Sequence, residues 1–232
     1  MTLKEIFDLS NYSQWFGSFV ILMLVLNSYY TLPWNIRIIG LMGLVSVVFQ
    51  LLQTISAYFF RYQHINAIGD CYVFLETLIF LAYYYILFKE GRLLRIALLF
   101  SAFLSICVYA MVILADASYP WYAVLSTTRN VLLIVFSVIT FFKLIKDLPN
   151  DNLLSLPTFW INSGILFLYS CTLILSLSMD YILTDLLDDF GAFWAFKNFL
   201  RAGFCVVICF GIWKARLQAL SPQSKKTISG IS

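Results

Sequence analysis

The chain has 232 residues, of which 62% are hydrophobic, 18% aromatic and only 12% charged, with a formal net charge of +3. This balance excludes an ordinary soluble domain and indicates an integral membrane protein, so the lipid bilayer is its first expected partner. No nucleic-acid partner is expected. Seven spans of about 20 residues with short connections account for nearly the whole chain, and we expect no separate soluble domain.

The apolar segments predict an all-α membrane protein, a bundle of seven transmembrane helices. In chain order these helices cover about residues 12–30, 35–60, 67–88, 93–114, 120–143, 157–178 and 190–213. Pro33 ends the first helix, while Pro120 and Pro157 suit the first turns of the fifth and sixth. Residues 144–156 are predicted to be a loop. A single membrane domain is therefore expected over residues 1–214, followed by a polar cytoplasmic tail over residues 215–232.

Lys and Arg are distributed unequally between the two sides of the predicted bundle. Two of them, Lys4 and Arg61, lie on the side of the N-terminus. Ten lie on the side that holds the C-terminus and the connections after the first, third and fifth helices: Arg37, Lys89, Arg92, Arg95, Lys143, Lys146, Lys214, Arg216, Lys225 and Lys226. Because cytoplasmic loops carry the excess of Lys and Arg, the count predicts an external N-terminus and a cytoplasmic C-terminus. The predicted location is the plasma (inner) membrane, which the chain crosses several times.

Five ionisable residues lie well inside the predicted spans: Asp70, Glu76, Arg129, Lys197 and Arg201. An ionisable group in hydrocarbon costs a few kcal/mol or more unless it faces partners or water, so such residues suggest a functional site. Counted from the helix ends, all five lie in the outer half of the bilayer or near its middle. These positions predict a charged core in the outer half of the bundle.

Three polar residues are candidates for the same core: Gln50, Gln53 and Tyr169. The two glutamines lie at similar depth in the second helix, and we expect Tyr169 of the sixth helix at the edge of the core. Lys197 and Arg201 are one turn apart and can point inward together. The core is thus predicted to lie between the second, third, fifth and seventh helices.

Two interpretations of this charged core follow from the sequence. The first is a structural ion-pair network that holds the helices in register without any ligand. The second is a ligand site, because three bases against two acids leave a net charge of +1 in a place where unbalanced charge is unfavourable. A small anionic or carboxylate-bearing ligand that enters from outside would balance that charge.

Catalytic and cofactor chemistry find little support in the sequence. The sole histidine, His64, is predicted to lie in a loop, and all five cysteines fall inside spans. Zinc sites and Ser/His nucleophiles are therefore poor fits, and we expect no metal, no cofactor and no enzyme activity. Lys197 with Glu76 or Asp70 suggests a retinal lysine and its counterion, but Lys197 is too shallow for that role.

The last two predicted helices contain the sequences PTFWINSGILFLYSCTLILSL (residues 157–177) and KNFLRAGFCVVICFGIWKAR (residues 197–216). In these helices the chain resembles small bacterial seven-helix membrane proteins that stand beside, or are fused to, sensor histidine kinases. The resemblance implies that the membrane bundle senses a signal and that a separate sensor kinase is the output. It maps no site residues onto this chain. We therefore predict a membrane sensor or signalling accessory, with a small-solute transporter, possible for anions, as the alternative.

Overall fold

The computed structural model describes residues 2–59, 65–89, 91–114, 121–147, 152–178 and 190–220. Within these ranges the chain forms seven α-helices that are long and apolar enough to cross a membrane. They are α1 (Leu3–Asn27), α2 (Trp34–Phe59), α3 (Ile65–Leu87), α4 (Arg92–Leu114), α5 (Trp121–Asp147), α6 (Pro157–Leu177) and α7 (Phe190–Leu220). The described residues include no β-strand. The prediction of an all-helical, seven-helix membrane protein is thereby confirmed.

The first helix begins at Leu3 and not near residue 12, so that prediction is wrong. A capping box explains the difference. Thr2 Oγ1 accepts a hydrogen bond from Glu5 N over 3.3 Å, and Glu5 Oε2 accepts one from Thr2 N over 2.8 Å. These reciprocal bonds satisfy two N–H groups that a helix start leaves unpaired, which starts the helix in a polar segment.

Two other helices extend further than predicted. Helix α5 continues to Asp147 and α7 to Leu220, so the predicted loop over residues 144–156 and the predicted tail over residues 215–232 both begin too early. A short 3₁₀ helix, Leu153–Ser155, also lies in the predicted loop. Trp160 Nε1 donates to the Leu154 carbonyl oxygen over 2.9 Å, which fixes this short helix against α6. The part of the tail over residues 221–232 lies outside the described residues.

The helices form a ring in chain order, which α1 and α7 close by packing against each other. Helix α3 contacts α2, α4 and α5, and its side chains reach α6 and α7 as well. Half of the most apolar stretch of α3 is buried, against 17% for α4, which packs only on α3 and α5. Helix α3 is therefore the central helix, and α4 is the one most open to lipid.

Contacts along the helices define their directions. Glu76 of α3 pairs with Arg201 of α7, and Phe80, one turn further along α3, meets Phe204 with ring centroids 6.3 Å apart. Helices α3 and α7 are therefore parallel. The N-terminal ends of α1, α3, α5 and α7 lie together, and we name this the N-terminal end of the bundle. The opposite end, where α2, α4 and α6 begin, is the C-terminal end.

Glycines allow the closest helix contacts. A Cβ atom at Gly17 of α1 would lie 2.7 Å from Cys205 Cβ of α7, and one at Gly211 of α7 would lie 2.8 Å from Ile161 Cγ1 of α6. Small residues permit such approach between helices in a membrane, where packing and not water exclusion drives association. These two positions position α7 between α1 and α6, with its polar face toward α3.

Candidate functional site: an ion cluster and an adjacent cleft

Glu76 of α3 lies at the centre of a buried ion cluster. Its side chain is 1% exposed, and Arg129 Nη1 donates to Glu76 Oε2 over 2.7 Å. Arg201 Nη2 donates to the other carboxylate oxygen, Oε1, and the Tyr72 hydroxyl donates to the same atom over 2.9 Å. One carboxylate therefore binds two guanidinium groups, one from α5 and one from α7. We call Glu76, Arg129 and Arg201 the ion cluster.

Helix geometry explains why these side chains meet. Tyr72 and Glu76 are four residues apart on α3 and so lie on one face, one turn from each other. Tyr72 also bonds Ser46 Oγ of α2 over 3.0 Å, which connects the cluster to a further helix. The predicted meeting of the third, fifth and seventh helices is thus observed, and α2 contributes through Ser46.

Arg129 is held on three sides besides its ion pair. Its Nε and Nη2 atoms donate to Asn130 Oδ1 over 3.2 and 3.0 Å, and Nη2 also donates to Ser126 Oγ over 3.3 Å. Its guanidinium carbon lies 5.1 Å from the ring centroid of Tyr169, within the range of a cation–π interaction. Tyr169 is 1% exposed, so it packs against the cluster and does not lie at its edge.

Arg201 has fewer polar contacts than Arg129. Its guanidinium carbon lies 4.7 Å from the Tyr72 ring centroid, and its side chain is 15% exposed. Among the described residues, neither Arg201 Nε nor the buried Tyr169 hydroxyl has a hydrogen-bond partner. Two guanidinium groups against one carboxylate give the ion cluster a net charge of +1. Buried donors near a net positive charge favour the approach of a group that accepts hydrogen bonds.

A small cleft lies beside the cluster, between α5, α6 and α7. It has about 10 Å³ of space, enough for roughly one water molecule. Its lining consists of Ala123, Thr172, Leu175, Ser176, Phe193, Trp194 and Lys197. The Lys197 ammonium lies 4.3 Å from the centroid of the Trp194 ring. The structure thus places Lys197 in this cleft, one turn from Arg201 on α7.

Two hydroxyl groups connect the cleft to the ion cluster. Ser176 Oγ lies 3.0 Å from Ser126 Oγ and accepts a hydrogen bond from Asn130 Nδ2 over 3.3 Å. Ser126 and Asn130 are the residues that hold Arg129. A change at Ser176 in the cleft is therefore two hydrogen bonds away from the ion pair with Glu76.

Three predicted site residues lie elsewhere. Asp70 is half-buried, with an Oδ1 atom that has no hydrogen-bond partner among the described residues. Gln50 is buried with neither amide atom bonded within that part of the chain, and Gln53 is half-buried. The ion pairs that the structure describes join Glu76 to Arg129 and Arg201 only. Different partners for Asp70 and Glu76 are consistent with their separation of about 120° around α3.

The sequence interpretation missed Tyr72 as a site residue. An aromatic hydroxyl four residues before a buried carboxylate is a signal that could have found it, because the two side chains must share a helix face. It also missed Asn198 of α7, whose Nδ2 donates to Asn11 Oδ1 of α1 over 2.6 Å. That contact joins α1 to α7 at the N-terminal end, near the cluster.

A second polar group lies in the C-terminal half of the bundle, on α3, α5 and α6. Tyr84 donates to Asn162 Oδ1 over 3.0 Å, and Ser137 Oγ donates to the same atom over 3.0 Å. Asn162 Nδ2 donates in return to the Ser137 carbonyl oxygen over 2.9 Å. All three residues are 0% exposed and uncharged. We call Tyr84, Ser137 and Asn162 the neutral network.

Metal and family relationships were considered after this geometry. Among the described residues, no group of three or more His, Cys, Asp and Glu side chains is placed so that it could hold a metal ion. Comparisons with protein-family models, with curated proteins and with solved structures found no match to this chain. Its function must therefore be argued from the ion cluster, the cleft and the membrane topology.

Proposed function

We propose that this protein is an integral membrane sensor or signalling accessory that binds a small anionic ligand at the N-terminal end of its bundle. The observation that supports it best is the net charge of +1 in the ion cluster, one helix turn from a lysine that lines a cleft. A scaffold needs only one arginine for one carboxylate. The second arginine adds charge that burial disfavours, and an anion nearby would offset it.

The direction of signalling rests on the sequence. The excess of Lys and Arg favours an external N-terminal end, so the ligand enters from outside and the C-terminal end faces the cytoplasm. The resemblance of the last two helices to proteins that accompany sensor kinases favours a separate kinase as the output. A ligand can act on such an output only if it binds two arrangements of the bundle with different affinity. The ion cluster, which joins three helices, is the element that two such arrangements would share unequally.

A small-solute transporter is the second candidate. Its support is that polar layers occur at two depths along α3, with the ion cluster nearer one end and the neutral network nearer the other. Phe80, which is 0% exposed and meets Tyr169 edge-on at 5.7 Å, lies between these layers. Alternate opening to the two sides would require Phe80 to move. Uptake of a labelled anion into proteoliposomes would favour this candidate over a sensor.

Thermal stability with a panel of anions tests the proposal. A ligand that binds only the folded protein stabilises it by about 2.7 kcal/mol at a hundredfold excess over its dissociation constant. We expect at least one carboxylate or phosphate compound to raise the melting temperature of the purified protein, and Lys197→Met to abolish that rise. Lys214→Met is the matched control, because Lys214 also lies on α7 and near an aromatic ring, 5.5 Å from the centroid of Phe210, but at the C-terminal end.

Topology is tested separately with reporters fused to each terminus. A reporter after Ser232 should be cytoplasmic and one before Met1 external. A cytoplasmic N-terminus would reverse the direction of ligand entry. Absence of stabilisation by every anion in the panel would instead favour the ion cluster as a scaffold.

A further inference from the structure

We infer that the ligand of the cleft is a monocarboxylate with a small apolar group, and that the Ser176 hydroxyl donates a hydrogen bond to its carboxylate. This inference rests on the proposed function and names its ligand class. Three features of the cleft carry it: the direction of the hydrogen bonds at Ser176, the single cation, and the apolar wall.

The hydrogen bonds around Ser176 leave its own proton unused. Arg129 has only donors, so Ser126 Oγ accepts from Arg129 Nη2 and keeps its own proton to donate to Ser176 Oγ. Asn130 Nδ2 also donates to Ser176 Oγ. Ser176 therefore accepts two bonds, and its O–H is directed to an acceptor other than these residues. Because the chain starts at a guanidinium, each bond polarises the next and makes this O–H a better donor.

The cleft offers one positive charge to a ligand. Lys197 is the only charged residue in its lining, since Arg129 and Arg201 are directed to Glu76. One ammonium and one hydroxyl donor match the two oxygens of a carboxylate of charge −1. A sulfate or a doubly charged phosphate would find too few donors, since such ions are best held by the planar donor fork of arginine.

The remaining lining selects an apolar group. Ala123, Leu175, Phe193 and Trp194 form this wall. Because the cleft now holds about 10 Å³ of space, the Lys197 or Phe193 side chain must shift when a carboxylate enters. Apolar surface that leaves water in such a place contributes about 25 cal/mol per Å². An unsubstituted inorganic anion gains nothing from this wall.

The test compares three probes on the wild-type protein in lipid nanodiscs: hexanoate, hexanamide and sulfate. Hexanamide has the shape of hexanoate without its charge, and sulfate has charge without an apolar group. We expect hexanoate to raise the melting temperature, at concentrations where hexanamide and sulfate have little effect. Because only the wild-type protein is used, this comparison decides the question even if variants fold poorly.

Two variants then locate the binding site. Ser176→Ala should weaken hexanoate binding about tenfold, as loss of a hydrogen bond to a charged group predicts. Ser178→Ala is the matched control, because the exposed Ser178 hydroxyl donates to the Ile174 carbonyl oxygen and does not line the cleft. Hexanoate binding that Ser176→Ala leaves unchanged would contradict the role of that hydroxyl.

The probes separate this inference from the proposed function. Equal stabilisation by sulfate and hexanoate would overturn the monocarboxylate inference, while the protein would remain an anion-binding membrane protein. Equal effects of hexanoate and hexanamide would show simple apolar partition and also overturn it. If neither these probes nor the wider anion panel stabilise the protein, both the inference and the proposed function fail.

Discussion

The ion cluster and the neutral network are built on the same helices but have opposite electrostatic balance. Each joins a residue of α3 to one of α5 that follows it by 53 positions in the sequence, Glu76 to Arg129 and Tyr84 to Ser137, through Asn162 in the second case. In the neutral network the donors and acceptors of Asn162 are all used. In the ion cluster Arg201 Nε stays unbonded within the described residues, and the charge is +1.

The difference separates a structural role from a functional one. A closed, uncharged network positions three helices without needing anything further, since a fully bonded polar group buried in protein carries no desolvation penalty beyond its formation. A cluster with excess charge is a poor scaffold by that standard. Its position beside a cleft with a lysine supports selection for something other than stability. The following predictions, from the largest expected effect to the smallest, test that contrast.

Glu76→Gln should have the largest effect. It leaves two buried guanidinium groups without a carboxylate, and removal of one partner of a buried ion pair costs about 3 to 5 kcal/mol of unfolding free energy. We expect a large fall in the melting temperature of detergent-purified protein. Glu5→Gln, at an exposed position of α1, is the control for the chemical change. A stable Glu76→Gln protein would mean that water or lipid headgroups reach both arginines.

Replacement of one arginine should have a smaller effect, because Glu76 keeps the other. Arg129→Leu should cost more than Arg201→Leu, since Arg129 is 4% exposed and has hydrogen bonds to Ser126 and Asn130, whereas Arg201 is 15% exposed. Loss of hydrogen bonds from a charged group suggests about 1.5 to 3 kcal/mol for Arg129. The melting temperatures of the two variants check this order, and the reverse order would contradict the described geometry.

Tyr84→Phe should have a mild effect on the neutral network. It removes one donor to Asn162 Oδ1, which still accepts from Ser137. Hydrogen bonds between membrane helices contribute about 0.6 kcal/mol on average. Anion-induced stabilisation should be unchanged in this variant, which distinguishes it from Lys197→Met. Loss of the anion response in Tyr84→Phe would show that the two polar groups act together.

Salt should have the smallest effect. Ion pairs at exposed positions weaken as salt screens them, whereas a buried pair is screened much less. The melting temperature should therefore change little when an inert salt such as sodium chloride is raised from about 0.1 to 1 M, where the Debye length falls from about 10 to 3 Å. A marked fall would indicate that Arg201 is open to solvent. A marked rise would indicate that chloride itself binds.

Most of the helices could be predicted from the sequence, because each span is a continuous apolar segment whose length is fixed by bilayer thickness. Their ends were harder to predict. Local hydrogen bonds start α1 at Leu3, and packing carries α7 to Leu220 through a segment that is polar enough to be read as a tail. Hydropathy reports where a segment prefers lipid and carries no information on where a helix continues beyond it.

The sequence by itself also determined that Glu76, Arg129 and Arg201 must find partners, since isolated charges are unfavourable in hydrocarbon. Which charges meet was decided only by tertiary structure. Asp70 and Glu76 are equally acidic, yet the rotation of α3 directs Glu76 to both arginines and leaves Asp70 outside the ion pairs of the described residues. Such choices depend on helix rotation and register. Those are set by contacts such as Gly17 against Cys205, between residues far apart in the chain, which no local pattern encodes.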